Sequence, residues 1–491
     1  MKGRYTSIHG YSAQMPASQI EDFSDDPEVT HISFDSPVRA HMDVAYPAVK
    51  ADVAFVASGG LDGRGVGVAV IDTGVQGHDD LLRSTGLGPV EVEIVGHETG
   101  LADYYGHGTH VAGIINGNGA DSSDKWSFRT FKGIAPGARL ISIRALYPDG
   151  TGYTSDILAS IDWAIANRAT YNIRVINLSL GHPIFESYTT DPLCRSVRAA
   201  YNAGLVVVVA AGNDGRVGSG FGTITTPGNE PSAVTVGAMD DGNTVTTTDD
   251  VLAAFSSKGP SLIDHVVKPD LVAPGTRIVS LRATGSYLDT NYHNWVLKLG
   301  DYKYDNSVSN HDGTYYELSG TSMSAPLVAG TAALMLQKEP GLNAATVKAR
   351  LMASATKDNR LVFETGAGYL NVDAALRQSG YATSAMSPLS VVGLDNYVYV
   401  QDLSLIWGVD WQQSIIWGLS KETAYGYSLT NVSGSSVAPS GYVWGVHPKS
   451  LVENTQITAS GLIWGVDACS LIWSGSSVDA QGAVWGGKGG H

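Results

Sequence analysis

Three short segments hold residues whose types suit nucleophilic chemistry. In Val70-Ile71-Asp72-Thr73-Gly74-Val75 a carboxylate closes an apolar run. In Gly106-His107-Gly108-Thr109-His110-Val111-Ala112-Gly113 a histidine stands between glycines and leads into an apolar helical pattern. In Ser319-Gly320-Thr321-Ser322-Met323-Ser324-Ala325-Pro326 small residues surround hydroxyls, and a proline within the first turn opens an apolar helix. An acid, an imidazole and a hydroxyl are the groups that nucleophilic catalysis combines. Each also has a plainer use. Asp72 suits a helix cap or a turn. His107 and His110 resemble a metal pair, although metal-binding helix pairs sit four apart with a glutamate between them. A serine at a helix N-terminus can be a cap, and the same position aims backbone N–H groups and the positive end of the dipole at whatever it attacks. Three serines and a threonine crowd this stretch, and chemistry alone does not choose among them.

The elements that must position these residues follow from periodicity. Near-continuous apolar runs at 66–71, 140–145, 175–180, 205–210 and 233–237 suit strands buried on both faces. Helical patterns at 154–167 and 191–203 lie between them. Alternating β and α predicts an α/β fold with a doubly covered parallel sheet, whose sites gather at the carboxyl ends of the strands. Residues 1–43 read as a small α+β piece, with strand patterns at 4–15 and 29–39 and a short helix at 17–23. Pro47 and the small residues around it suggest a linker. The main domain is expected over 44–385. Residues 386–491 form a Gly/Ser/Trp-rich, β-rich extension that repeats Leu405-Ile406-Trp407-Gly408 as Ile415-Ile416-Trp417-Gly418, Tyr442-Val443-Trp444-Gly445 and Leu462-Ile463-Trp464-Gly465. These tryptophans either bind a polymer or surface or pack inside a β module, and burial is the usual fate of large aromatics.

Composition narrows the partners. Of the 491 residues, 43% are hydrophobic and 16% charged, which permits a sizeable core. A formal charge of -16 argues against nucleic-acid binding. Cys194 and Cys469 are too few for a disulfide framework or a zinc site, and leave the redox compartment open. No apolar run approaches the ~20 residues that span a bilayer. Met1 to Gly10 lacks the hydrophobic core of a signal peptide, so a cytoplasmic chain or one already stripped of its export signal is expected.

The order Asp72, His107, Ser322, spaced by 35 and 215 residues, resembles the subtilisin-like (S8) family of serine proteases. Its D-T/S-G, H-G-T-H and G-T-S-M-A/S-x-P motifs match segment by segment. Ser179-Leu180-Gly181, Ala210-Ala211-Gly212-Asn213 and Lys268-Pro269-Asp270-Leu271-Val272-Ala273-Pro274-Gly275 match further. The resemblance implies a subtilisin-type sheet and a serine endopeptidase of broad specificity. It makes Ser322 the nucleophile, His107 the base, Asp72 its orienting partner and Asn213 an oxyanion donor. Ser179, Leu180 and Gly181 would pair with one side of an extended peptide, Gly150, Thr151 and Gly152 with the other. Thr225 and Thr226 would line a pocket for a neutral P1 residue. Asp80 matches one calcium ligand of the family, but the loop 116–132 departs from the family's usual loop. No cofactor is required for the chemistry, and calcium would be structural. The N-terminal piece resembles the end of an inhibitor-type propeptide, cleaved between about His41 and Ala51. Secretion and a monomeric state are implied. Two other readings are an acid-active relative with a Glu-Asp-Ser set, which His107 disfavours, and a silent protein presenting the C-terminal repeats. The polar, tyrosine-rich stretch 282–317 reads as a surface elaboration or a lid.

Overall fold

The computed structural model describes residues 3–5, 10–12, 42–82, 88–95, 103–304 except 219, 309–392 except 359, 398–400, 403, 407, 416 and 417. The expected helix at 17–23, the strand at 29–39, Cys469 and the tryptophans from Trp444 onward lie outside these residues. The first of two compact units runs from Met1 to Arg39. Its described part is an antiparallel pair, β1 (Gly3–Tyr5) and β2 (Gly10–Ser12), where one strand-like stretch was expected at 4–15.

The second unit starts at Ala40, and its first residues correct the sequence reading. The expected linker around Pro47 is two short helices, α1 (Met42–Ala48) and α2 (Ala51–Ala57). Ala45, Ala48, Val49, Ala51 and Ala54 are almost fully buried. The small side chains that looked like linker composition are what lets these helices press against the body.

Seven parallel strands follow: β3 (Gly67–Asp72), β4 (Val90–Glu93), β5 (Arg139–Arg144), β6 (Ile173–Leu178), β7 (Val206–Ala210), β8 (Val234–Asp240) and, after the short antiparallel β9 (Val251–Leu252), β10 (Leu271–Pro274). Their spatial order is β10-β8-β7-β6-β3-β5-β4, with β9 paired to β8. Helices α3 (His107–Asn116), α4 (Thr154–Tyr171) and α5 (Pro192–Asn202) come from the intervening sequence, and α6 (Tyr287–Asn291) and α7 (Thr321–Lys338) follow the sheet. Side chains alternate between faces along each strand. Val68, Val70, Val175, Val206 and Val208 share one core with Val111 and Ile114 of α3 and Leu327 and Val328 of α7. Ala69, Ile71, Ile143, Ile176, Val207 and Val209 share another with Ile157 and Ile161 of α4 and Leu193 and Val197 of α5. Apolar residues on both faces explain why the runs show no alternation.

The stretch at 282–317 belongs to the body. Strands β11 (Ile278–Leu281), β12 (Val296–Lys298) and β13 (Asp312–Leu318) form an antiparallel sheet with β13 in the middle. Tyr302 and Tyr315 are fully buried and meet Phe131 from the 116–132 loop. Trp407 and Trp417, from the first two Trp-Gly repeats, are also buried, in a core shared with Val267, Met352 and Phe363. Trp407 Nε1 donates to the Met386 carbonyl at 3.0 Å.

Candidate active site

Asp72 closes β3 on the face of Val68 and Val70, so strand alternation aims it at α3 and α7. A register slip of one residue would turn it away. It is almost completely buried, and its Oδ1 accepts the Thr73 N–H and the Nδ1–H of His107, both at 2.8 Å. An ionised carboxylate only accepts, so the ring proton sits on Nδ1 and the Nε2 lone pair stays available. His107 is the first residue of α3. Gly106 before it is the N-cap at φ 104°, a backbone that favours glycine. Gly108 after it lies so close to the turn following β3 that a Cβ would come within 2.1 Å of the Gly74 carbonyl oxygen. Burial works against a charged imidazole, but the charge and hydrogen bond of Asp72, with Asp103 beyond, prevail and hold the His107 pKa above its ordinary value.

Ser322 is the second residue of α7. The crowded hydroxyls around it now separate by environment. Ser324 is buried and donates to the Ala273 and Pro274 carbonyls, Ser319 Oγ accepts the Arg277 N–H, and Thr321 is buried against Gly212. Ser322 Oγ donates to the Ser179 carbonyl at 3.2 Å, and the Ser179 hydroxyl returns a bond to the Ser322 carbonyl at 2.9 Å. Asn177 Nδ2 steadies Ser179 Oγ at 2.9 Å, since Val175, Asn177 and Ser179 succeed one another on the same side of the strand. In this resting arrangement the Ser322 hydroxyl is directed at the Ser179 carbonyl. Asn213 follows β7 and is exposed; its Oδ1 accepts the Thr321 N–H at 2.9 Å, which leaves Nδ2 to serve a ligand.

His110 is not a ligand. It is fully buried, its Nε2 donates to the Ile278 and Tyr316 carbonyls at 3.0 Å each, and burial pushes its pKa down to about 3. It ties α3 to β11 and β13.

A cleft of about 430 Å³ joins both predicted peptide-facing segments. Gly150, Thr151 and Gly152 line it together with Ser179, Leu180, Gly181 and His107. Thr225 and Thr226 do not line this cleft but adjoin residues that do: the Thr226 carbonyl accepts the His182 N–H at 3.0 Å, and Thr225 Oγ1 would be 2.7 Å from a Cβ at Gly181. The lining has no acidic, lysine or arginine side chain. Sequence reasoning missed Tyr105, Leu146 and Tyr153, which face the same cleft, because nothing local distinguishes them from surface residues. It also missed Asp103, whose place four residues before His107 was the available signal.

Asp80 stands elsewhere, in a group with His78 and Asp121 whose ligand atoms lie within 4.8 Å of one another. Asp80 Oδ1 accepts the Asp121 N–H at 2.8 Å, and Oδ2 accepts the Tyr315 hydroxyl at 2.7 Å. His78 Nδ1 accepts the Asp80 N–H, and Nε2 lies 3.2 Å from the Thr314 carbonyl. Calcium takes six to eight oxygens. One ring nitrogen and two carboxylates offer too few oxygens, so this group does not fit calcium on its own. Cys194 is a buried free thiol, its pKa pushed up by burial. Among the described residues no helix is long and apolar enough to cross a membrane.

Comparison with known proteins gives the same outline. The family model Peptidase S8, the subtilase family, matches residues 63–369. Serine protease AprX of Bacillus subtilis (strain 168) is 36% identical over 364 residues, 73% of this chain and 76% of that protein. Subtilisin E of the same organism is 32% identical over 378 residues, 76% and 82% respectively. A crystal structure of a cold adapted subtilisin-like serine proteinase shares 28% identity and covers 64% of this chain and 90% of its own, at a TM-score of 0.46.

Proposed function

This chain belongs to the subtilase family of serine proteases, and on that premise we propose that Asp72, His107 and Ser322 are its catalytic triad and Asn213 its oxyanion donor. The observation that carries this is the 2.8 Å bond from the buried Asp72 to His107 Nδ1, which leaves Nε2 as a base facing the cleft. His107 takes the Ser322 proton as Oγ attacks the scissile carbonyl. Asp72 stabilises the imidazolium that results. The Ser322 N–H, at the N-terminus of α7, and Asn213 Nδ2 receive the negative charge that develops on the carbonyl oxygen. His107 then protonates the leaving amine, and water completes hydrolysis of the acyl-enzyme.

The substrate is an extended or unfolded polypeptide laid between 150–152 and 179–181, held chiefly by main-chain bonds, which gives broad specificity. The uncharged cleft and Thr225 and Thr226 favour a neutral P1 side chain. The chemistry uses no cofactor, and a calcium at Asp80 is not part of this reading. The N-terminal unit acts as an inhibitory prosegment. Maturation falls at the start of the expected 41–51 window, before Met42, because α1 buries Ala45, Ala48 and the following Val49 and is a poor protease target. An extracellular monomer is proposed. A silent binding protein is disfavoured because none of the triad positions is vacant.

Ser322→Ala should lower kcat by a factor on the order of 10⁶, the loss that follows removal of the nucleophile from a related serine protease. A fluorophosphonate probe should label Ser322 in wild type alone. Unlabelled, prosegment-free wild type would sink the reading.

A further inference from the structure

Behind the triad lies a second buried carboxylate that the mechanism does not use. Asp103 is 2% exposed. Its Oδ1 accepts the Gly106 N–H at 2.7 Å and the Thr73 hydroxyl at 2.8 Å, and its Oδ2 accepts the Thr109 N–H at 2.8 Å and the Thr109 hydroxyl at 2.7 Å. The hydroxyl hydrogens are directed by their other partners. Thr73 Oγ1 accepts the Gly108 N–H and Thr109 Oγ1 the Gln76 N–H, each at 2.9 Å, so the hydrogen of each is left for Asp103. Burial holds the Asp103 pKa above its ordinary value, although these four bonds pull it down. Four donors and no acceptor suit the carboxylate and not the acid.

The location gives this anion a task. His107 opens α3, and a helix N-terminus carries the equivalent of about half a positive charge, which works against protonating an imidazole there. Asp103 takes two N–H groups from that same end and sets a full negative charge against it. We propose that Asp103 is a positioning residue that caps α3 as an anion, offsets the helix dipole at His107 and fixes Thr73 beside Asp72, keeping His107 basic enough to accept the Ser322 proton.

The other charged or titratable groups around His107 do not duplicate this role. Asp72 lies on β3, Tyr105 shares the cleft, and His110 is kept neutral one turn on. Arg144, opposite Asp72 on β5, is paired with Glu93, and Asp79 and Asp80 lie by the far end of α3, where the Asp80 carbonyl accepts the Asn118 N–H. Strand β11 has no ionisable residue, and the only one in α7, Lys338, is in its last turn.

The inference rests on His107 being the base, so the test should not depend on turnover. In the full chain carrying Ser322→Ala, the His107 pKa is read by NMR of the imidazole, with and without Asp103→Asn and Asp103→Glu. The expected result is a His107 pKa lower by about one pH unit in Asp103→Asn, the size of effect one nearby buried charge exerts. Asp103→Glu should restore most of it. With Ser322 intact, the acid limb of kcat/KM should move by the same amount. A folded Asp103→Asn protein whose His107 pKa matches the parent overturns the proposal. If that variant does not fold, the Asp103 carboxyl ¹³C shift in the Ser322→Ala protein decides. An ionised signal across the activity range supports the proposal, and a protonated one overturns it. Loss of probe labelling at Ser322 would instead count against the triad itself.

Discussion

At the scale of residues, His107 is pulled two ways: burial disfavours its charge, and Asp72 favours it more. As the proposed general base His107 works only when neutral, so activity should be lost as pH falls through its pKa. Because that pKa is held above the ordinary value of about 6.5, kcat/KM for a peptide substrate should already be declining at pH 7 to 6.5. A rate that stays flat down to pH 6 would contradict this. The proposed triad was legible through motifs alone, since composition and periodicity reach only reactive groups at strand and helix ends. The sequence left the four hydroxyls of residues 319–324, the proposed nucleophile among them, undistinguished. Burial of Thr321 and Ser324, and the Arg277 contact of Ser319, come from segments far away in the chain.

At the scale of elements, five of the seven parallel strands were readable within two or three residues because burial on both faces leaves unbroken apolar runs; the half-exposed β4 and the four-residue β10 were not. The helices α1 and α2 and the buried tyrosines at 302 and 315 were not, because short small-residue or polar segments take their burial from partners that local pattern does not show. Two close fits can be tested. Gly108→Ala places a methyl against the Gly74 carbonyl and must lift α3 from the end of β3. Displacing His107 by as little as 1 Å can cost about 10²-fold in kcat, and burst titration on folded enzyme should show that loss. Tyr315→Phe removes the donor to Asp80 Oδ2 in a closed site. Leaving that carboxylate oxygen unpaired should cost about 1–3 kcal/mol in denaturant unfolding. Excess calcium should not recover it, and full recovery would mean that the group does hold the ion.

At the scale of the whole molecule, the tail is where composition alone says least. Its Trp-Gly repeats permit a surface-binding array or a packed module, and for the first two copies the described residues favour packing. Trp407, Ile416 and Trp417 complete a core with Phe363, Val267 and Met352, and Lys357 Nζ donates to the Ile416 carbonyl. A chain ended at Met386 would therefore open one side of the protease body, whereas one ended just past Trp417 would not. Removing a buried tryptophan costs about 3–5 kcal/mol. The shorter truncation and Trp407→Ala should each inactivate many times faster on heating, while activity per folded molecule stays near that of the full chain. Inactivation half-life is the appropriate measurement, since a protease that digests its own unfolded form has a rate and not an equilibrium as its working stability. If the chain ended at Met386 keeps the full half-life, the tryptophans at 407 and 417 are passengers. Loss of stability in that chain, with none in the one ended after Trp417, would divide the extension into a structural start and a remainder free for another task.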